Sequence, residues 1–320
     1  MAEPQGLREL VRELALALRE QVRPQLGSHA ARAHGELADG GDITFAIDAD
    51  AEEIVHEFLI RDRRGVAYFS EDKGLVLPDG DADTVLVVDP IDGTRPALAG
   101  LESCCVSVAA APLREDVTMG EVSHACVVEI PSGVVFVAER GAGLVEGPPV
   151  RLSANESLDR MFWSYGFRGR PARPMAEVLG DLIDLSSVGG GTFELGSACF
   201  DMTRVATGQL DAYVEPGPRL VEEVPGMREE FERVGGGAVL NNTPYDLAAA
   251  ALCLEEAGAI VTDAAGSPLS DRPLLGSGAD FQMSVLVSAN EALHAQILEH
   301  LDAGLDRLRF TKAQVEETEI

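Results

Sequence analysis

The chain has 320 residues, with 54 acidic side chains against 25 basic ones and a formal net charge of −29. That excess excludes a nucleic-acid polymer as a partner, because phosphate backbones are bound by basic surfaces, and it means that an anionic substrate needs a local cation. No stretch is long and apolar enough to span a membrane and the N-terminus lacks the basic and apolar regions of a leader, so no membrane partner and a cytoplasmic location are expected.

Leu7, Leu10, Val11, Leu14, Leu18 and Val22 recur at helical spacing, predicting an amphipathic helix that Pro24 helps to end. Gly41 to Asp48 reads as a short extended piece whose last acid caps a helix carrying Glu52, Glu53, Ile54, Val55, Phe58 and Leu59. Val66 to Phe69 reads as a strand ending in Ser70-Glu71-Asp72-Lys73-Gly74. Thr84 to Val88 is a β-branched apolar run, a buried strand after which Asp89-Pro90-Ile91-Asp92-Gly93-Thr94 emerges. Asp89 and Asp92, separated by a proline-stiffened turn, can converge on one spot, and two acids sharing a spot need a positive charge between them. A hard divalent cation suits them. Gly93 and Thr94 then offer unhindered backbone N–H groups for an anion such as phosphate. Cys104 to Ala111, Val122 to Ile130 and Val134 to Ala138 read as antiparallel strands, the last two joined by a hairpin at Pro131-Ser132-Gly133.

Gly147-Pro148-Pro149 breaks the pattern and divides the chain into halves of residues 1–150 and 151–320. A strand around Met161 to Tyr165 and a helix with Met175, Val178, Leu179 and Leu182 open the second half. Leu195-Gly196-Ser197-Ala198 leads a helix through Val205, and Leu210 to Glu215 forms the next strand. Pro216 to Asn242 reads as an insertion with a short helix around Met227 to Arg233, placed to act as a lid. Thr243-Pro244-Tyr245-Asp246 opens an Ala-rich helix with a cap and a first-turn proline. Strands at Ala259 to Thr262 and Met283 to Val287, a helix after Asn290 and a polar, frayed tail after Phe310 complete the chain. Cys104, Cys105, Cys126, Cys199 and Cys253 form no Cys-x-x-Cys pair and are expected as buried free thiols; the six histidines belong to no motif. Lysine occurs only as Lys73 and Lys312 beside plentiful arginine, a usage that fits a GC-rich genome and a salt-adapted host.

The hexapeptide from Asp89 to Thr94 resembles the signature of the inositol monophosphatase family, the Mg-dependent, lithium-sensitive phosphatases that also include fructose-1,6-bisphosphatases and nucleotide 3′-phosphatases. Four more pieces stand in the family's order: Asp48 with its Ala-Glu helix start, the acidic pair Glu71-Asp72, the Gly196-Ser197-Ala198 helix with its Asp211-Ala212-Tyr213 strand, and Tyr245-Asp246 opening a helix closed by Glu256-Ala257-Gly258. The resemblance implies an α+β/α/β fold, the layered αβαβα sandwich of the sugar-phosphatase superfamily, with the active site between the halves. It implies that Glu71, Asp89, the Ile91 carbonyl, Asp92 and Asp246 hold two or three Mg2+ ions, and that Glu71 and Thr94, the latter oriented by Asp48, aim a water. It also implies that Asp92, Gly93 and Thr94 contact the phosphate, while Gly196, Ser197, Ala198 and Glu215 line the substrate. The expected reaction is hydrolysis of a small polyol or sugar phosphate by a homodimer. Fructose 1,6-bisphosphate and a nucleotide 3′-phosphate are the alternative substrates. Three departures, Asp72 for Glu, Tyr245 for Trp and a missing lysine before Asp48, leave open an inactive metal-binding or regulatory homologue, while a fourth, Arg95-Pro96 for Asn-Phe, and the inserted segment favour a doubly charged ligand.

Overall fold

A computed structural model describes residues 4–28, 34–37, 43–62 and 64–318; Gly41 and Asp42, at the start of the predicted extended piece, lie outside them. In chain order the elements are α1 (Pro4–Val22), β1 (His34–Leu37), β2 (Ile43–Phe45), α2 (Ala46–Asp62), β3 (Ala67–Ser70), β4 (Gly74–Val76), β5 (Thr84–Asp92), α3 (Thr94–Ala99), β6 (Cys105–Pro112), β7 (His124–Glu129), β8 (Val135–Glu139) and β9 (Gly143–Glu146). There follow β10 (Phe162–Tyr165), α4 (Ala172–Ser186), β11 (Gly191–Phe193), α5 (Ala198–Ala206), β12 (Ala212–Glu215), α6 (Gly217–Glu223), α7 (Met227–Val234), α8 (Pro244–Glu256), β13 (Ile260–Thr262), β14 (Val285–Ser288) and α9 (Glu291–Thr318).

β4-β3-β5-β6-β7-β8-β9 form one sheet, antiparallel except where β3 runs parallel to β5, and β11-β10-β12-β14-β13 form a second, mixed sheet. Three cores stack through them. Along β5, Leu86 and Val88 face the first core with Leu10, Leu14 and Leu18 of α1 and Ile47 and Val55 of α2; Val85 and Val87 face the second core with α5 and α8. Alternation with apolar residues on both sides is what a strand covered on both faces requires. The second core is closed by Tyr213, Val285 and Val287 of the smaller sheet, and the third packs that sheet's outer face against α4, α6, α7 and α9. Helix, sheet, helix, sheet, helix is the expected αβαβα order. The middle helix α8 explains its own composition: Ala248 to Ala251 are all buried between two sheets, where only small side chains allow both to approach.

Four local expectations are corrected. β5 does not stop at Val88 but continues through Asp92. Asp48 is not the residue before α2; it lies in the first turn and its Oδ2 accepts the Phe45 N–H at 2.9 Å. The segment after β12 is a fixed part of the structure rather than a detached lid: α6, α7 and the turn between them bury Leu220, Val224, Met227 and Phe231 in the third core, and residues 239–242 at its end line the cleft wall. The C-terminal helix runs past Phe310 to Thr318. The five cysteines are buried and free, as expected.

Candidate active site

The continuation of β5 is what brings its two acids together. In a regular strand residues three apart point to opposite faces. Here Asp89 pairs with Ser107 and Asp92 with Cys105, so one extra residue bulges out of β5, and both carboxylates turn to the side of α5 and α8. Pro90, which has no N–H to give to the ladder, falls inside the bulge. The Ile91 N–H donates to Asp89 Oδ1 at 2.9 Å and stiffens the turn. Gly93 follows at φ +89°, where a side chain is strained, and a Cβ there would stand 2.6 Å from the Ser103 carbonyl and 2.8 Å from Ser197 Cβ. Only glycine lets α5 come this close to the end of β5.

α5 then holds Asp92. Ser197 Oγ and the Cys199 N–H each donate to Oδ2 at 2.6 Å, and the Ala198 N–H donates to Oδ1 at 3.3 Å. Ser197 also caps α5, accepting the Phe200 N–H at 3.1 Å. α8 delivers the third acid. Thr243 caps it, and its N–H and Oγ1 donate to Asp246 Oδ2 at 2.7 and 2.9 Å, a capping box that fixes the carboxylate. Ser107 Oγ and Cys199 Sγ donate to the Tyr245 and Asp246 carbonyls at 3.0 and 3.2 Å, tying the start of α8 to β6 and α5.

Asp89, Asp92 and Asp246 each bring a carboxylate oxygen within 4.8 Å of the others. Burial pushes the Asp89 carboxyl well up, and the charges of Asp92, Asp246 and Glu71 push it further. Burial also raises Asp92, against the lowering effect of Ser197 and Cys199, and brings Asp246 up to about 7, with Asp92 adding to the rise. Three carboxylates that repel one another in a buried pocket, with oxygen donors only, are the donor set that a hard divalent cation fits. Glu71 lines the same cleft, as do Gly93 and Thr94. Thr94 Oγ1 lies 3.1 Å from Asp48 Oδ1 and 3.2 Å from the Ile91 carbonyl.

Of the expected substrate residues, Gly196, Ser197 and Ala198 line the cleft, the last two already engaged with Asp92, and Gly196 packs on Pro96. Glu215 is fully buried behind the wall, 2.9 Å from Arg170 Nε and accepting the Gly217 N–H at 2.9 Å. A Cβ on Gly166 would meet Glu215 Oε2 at 2.7 Å, so only the bare glycine backbone fits over it. Arg168, Arg170, Asp201, Tyr213 and Asn241 also line the cleft and were missed. The two arginines follow the end of β10 much as Asp89 and Asp92 sit at the end of β5, and that position at a strand's carboxyl end was the available signal. Asp201 Oδ1 and Asn241 Oδ1 on this wall, and Glu215 Oε2 behind it, are buried acceptors with no protein partner.

Two large sheets and three helical layers, with an oxygen-only cluster at the carboxyl end of β5, define an α/β sandwich with a candidate metal centre. The sequence model of the inositol monophosphatase family matches residues 4–305, and the chain belongs to that family. It is 27% identical over 303 residues to the fructose-1,6-bisphosphatase/inositol-1-monophosphatase of Methanothermobacter thermautotrophicus, spanning 90% of this chain and 95% of that one. It is 28% identical over 233 residues to the Nus factor SuhB of Pseudomonas aeruginosa, spanning 72% and 75%. The IMPase of Thermotoga maritima has the same fold, with a TM-score of 0.67 at 19% identity over 92% of this chain and 96% of that one.

Proposed function

We propose that the protein hydrolyses the phosphate monoester of a small polyol or sugar, using Mg2+ held by Asp89, Asp92, Asp246, Glu71 and the Ile91 carbonyl. The observation that carries this reading is the convergence of two buried aspartates and the half-buried Asp246 beside a wall that carries acceptors. Two or three bound Mg2+ ions would make a bound water acidic and neutralise the leaving oxygen. Thr94 Oγ1 donates its hydrogen bond to Asp48 and so turns a lone pair toward the attacking water, from which it accepts a hydrogen bond. Asp48 is kept in place for this by the Phe45 N–H. The N–H groups of Gly93 and Thr94 steady the phosphate oxygens. On the far wall, Asp201 and Asn241 carry acceptors that no protein donor takes, which suit hydroxyl donors of a polyol better than a second anion. The reading includes a homodimer in the cytoplasm; no helix among the described residues is long and apolar enough to cross a membrane.

A second reading, hydrolysis of fructose 1,6-bisphosphate, draws on Arg168, whose charge reaches Asp246 from the cleft rim, and on the bifunctional relative. Phosphate release from inositol 1-phosphate, glycerol 2-phosphate, fructose 1,6-bisphosphate and adenosine 3′,5′-bisphosphate, with Mg2+ or with EDTA, decides between them. The monophosphates should be preferred, EDTA should abolish release, and Asp92→Asn should lower kcat by about 100-fold or more. Near wild-type turnover in that variant would remove Asp92 from the centre. Folded protein that releases no phosphate from any compound would favour a regulatory role.

A further inference from the structure

Two acids of α2 reach the candidate site from behind. Asp48 and Glu52 are four residues apart, one helical turn, and therefore leave the same face of the helix. Asp48 takes the Thr94 hydroxyl. Glu52, 2% exposed, takes the Ser70 hydroxyl through Oε2 at 2.8 Å, and the backbone of Asp72 also hydrogen-bonds to its carboxylate. Ser70 and Asp72 are the two neighbours of Glu71, so a single buried side chain grips both flanks of the acid that enters the cleft.

Packing alone does not account for a glutamate here. Its buried companions on α2 are Ile47, Ala51 and Val55, and Oε1 lies buried without a protein partner. Burial pushes the carboxyl up to about 7, so keeping an acid here carries the cost of taking it out of water. A leucine would fill the space without that cost, but it could not hold the turn.

We propose that Glu52 is a positioning residue of the phosphatase centre: it sets the reach of Glu71 and, together with Asp48 on the same rigid helix, fixes the spacing between Glu71 and Thr94. The proposal rests on the reading of Glu71 as a metal ligand. Groups that orient metal ligands from outside typically change metal affinity or activity by about 10–100-fold when removed.

The test is titration of the metal-free full chain with Mn2+, followed by calorimetry and by the Mn2+ spectroscopic signal, alongside phosphate release. Glu52→Ala should weaken Mn2+ binding by about tenfold or more and lower kcat with KM unchanged, and Glu52→Gln, whose amide oxygen still accepts from Ser70, should recover most of both. Unchanged Mn2+ affinity in folded Glu52→Ala, with only a lower melting temperature, would overturn the proposal. Ser70→Ala removes the same clamp from the other side and is held to the same outcome if Glu52→Ala does not fold. Asp92→Asn separates the two levels. Mn2+ binding lost there but intact in Glu52→Ala overturns the role of Glu52 alone, whereas binding intact in both overturns the metal centre as well.

Discussion

Asp246 has to satisfy two requirements with one carboxylate. As the third residue of α8 it closes the capping box, and as a member of the cluster it lies half-buried beside Asp92. Its carboxyl ionises near 3.8 in the unfolded chain and near 7 in the metal-free fold. Between those values the folded state holds a proton that the unfolded state has released, so the stability this group contributes is fully present below about pH 4 and is lost as the pH rises through about 7. The raised Asp89 and Asp92 act in the same direction. In EDTA the melting temperature should therefore fall from about pH 5 to about pH 7.5, and Mg2+ should remove the fall. Mg2+ binding should weaken as the pH drops below 7, by about tenfold per unit for one displaced proton. A Mg2+ activation constant that stays flat from about pH 5.5 to pH 8 would take Asp246 out of the metal's reach. The acids themselves were legible in the sequence because each stands inside a patterned stretch. Asp201 and Asn241 were not: their roles come from what surrounds them, and nothing in their neighbours' spacing announces it.

Among the elements, those set in a patterned stretch were readable, and β9, β11 and α6 were not. β9 and β11 have four and three residues, too few for alternation to show. α6 begins Gly217-Pro218, which reads as a breaker although proline is at home in a first turn. The bulge in β5 left only Pro90 as a trace. The consequence is clearest for α6 and α7, which read as a detached lid until their buried face is seen. Phe231 is fully buried between α7 and the third core. Phe231→Ala should cost about 3–5 kcal/mol of stability by chemical denaturation and leave KM near the wild-type value. A changed KM at unchanged stability would restore the lid.

At the scale of the whole molecule, the net charge of −29 is a standing repulsion that salt relieves. The Debye length shrinks from ~10 Å at 0.1 M to ~3 Å at 1 M, so the melting temperature should climb as KCl is added over that range. A flat curve would mean that local ion pairs, such as the one joining Arg204 and Glu129, already compensate the excess. The sequence order of the cluster has a further consequence, for synthesis. Asp89 and Asp92 leave the ribosome with β5, but Asp246 arrives on α8, which packs against the first sheet only after most of the second has been made. A nascent chain that has emerged as far as β9 thus carries two of the three aspartates and neither of the helices that orient them. Catalytic competence should therefore appear only once α8 has emerged and docked, so that a shorter nascent chain leaves phosphate esters untouched.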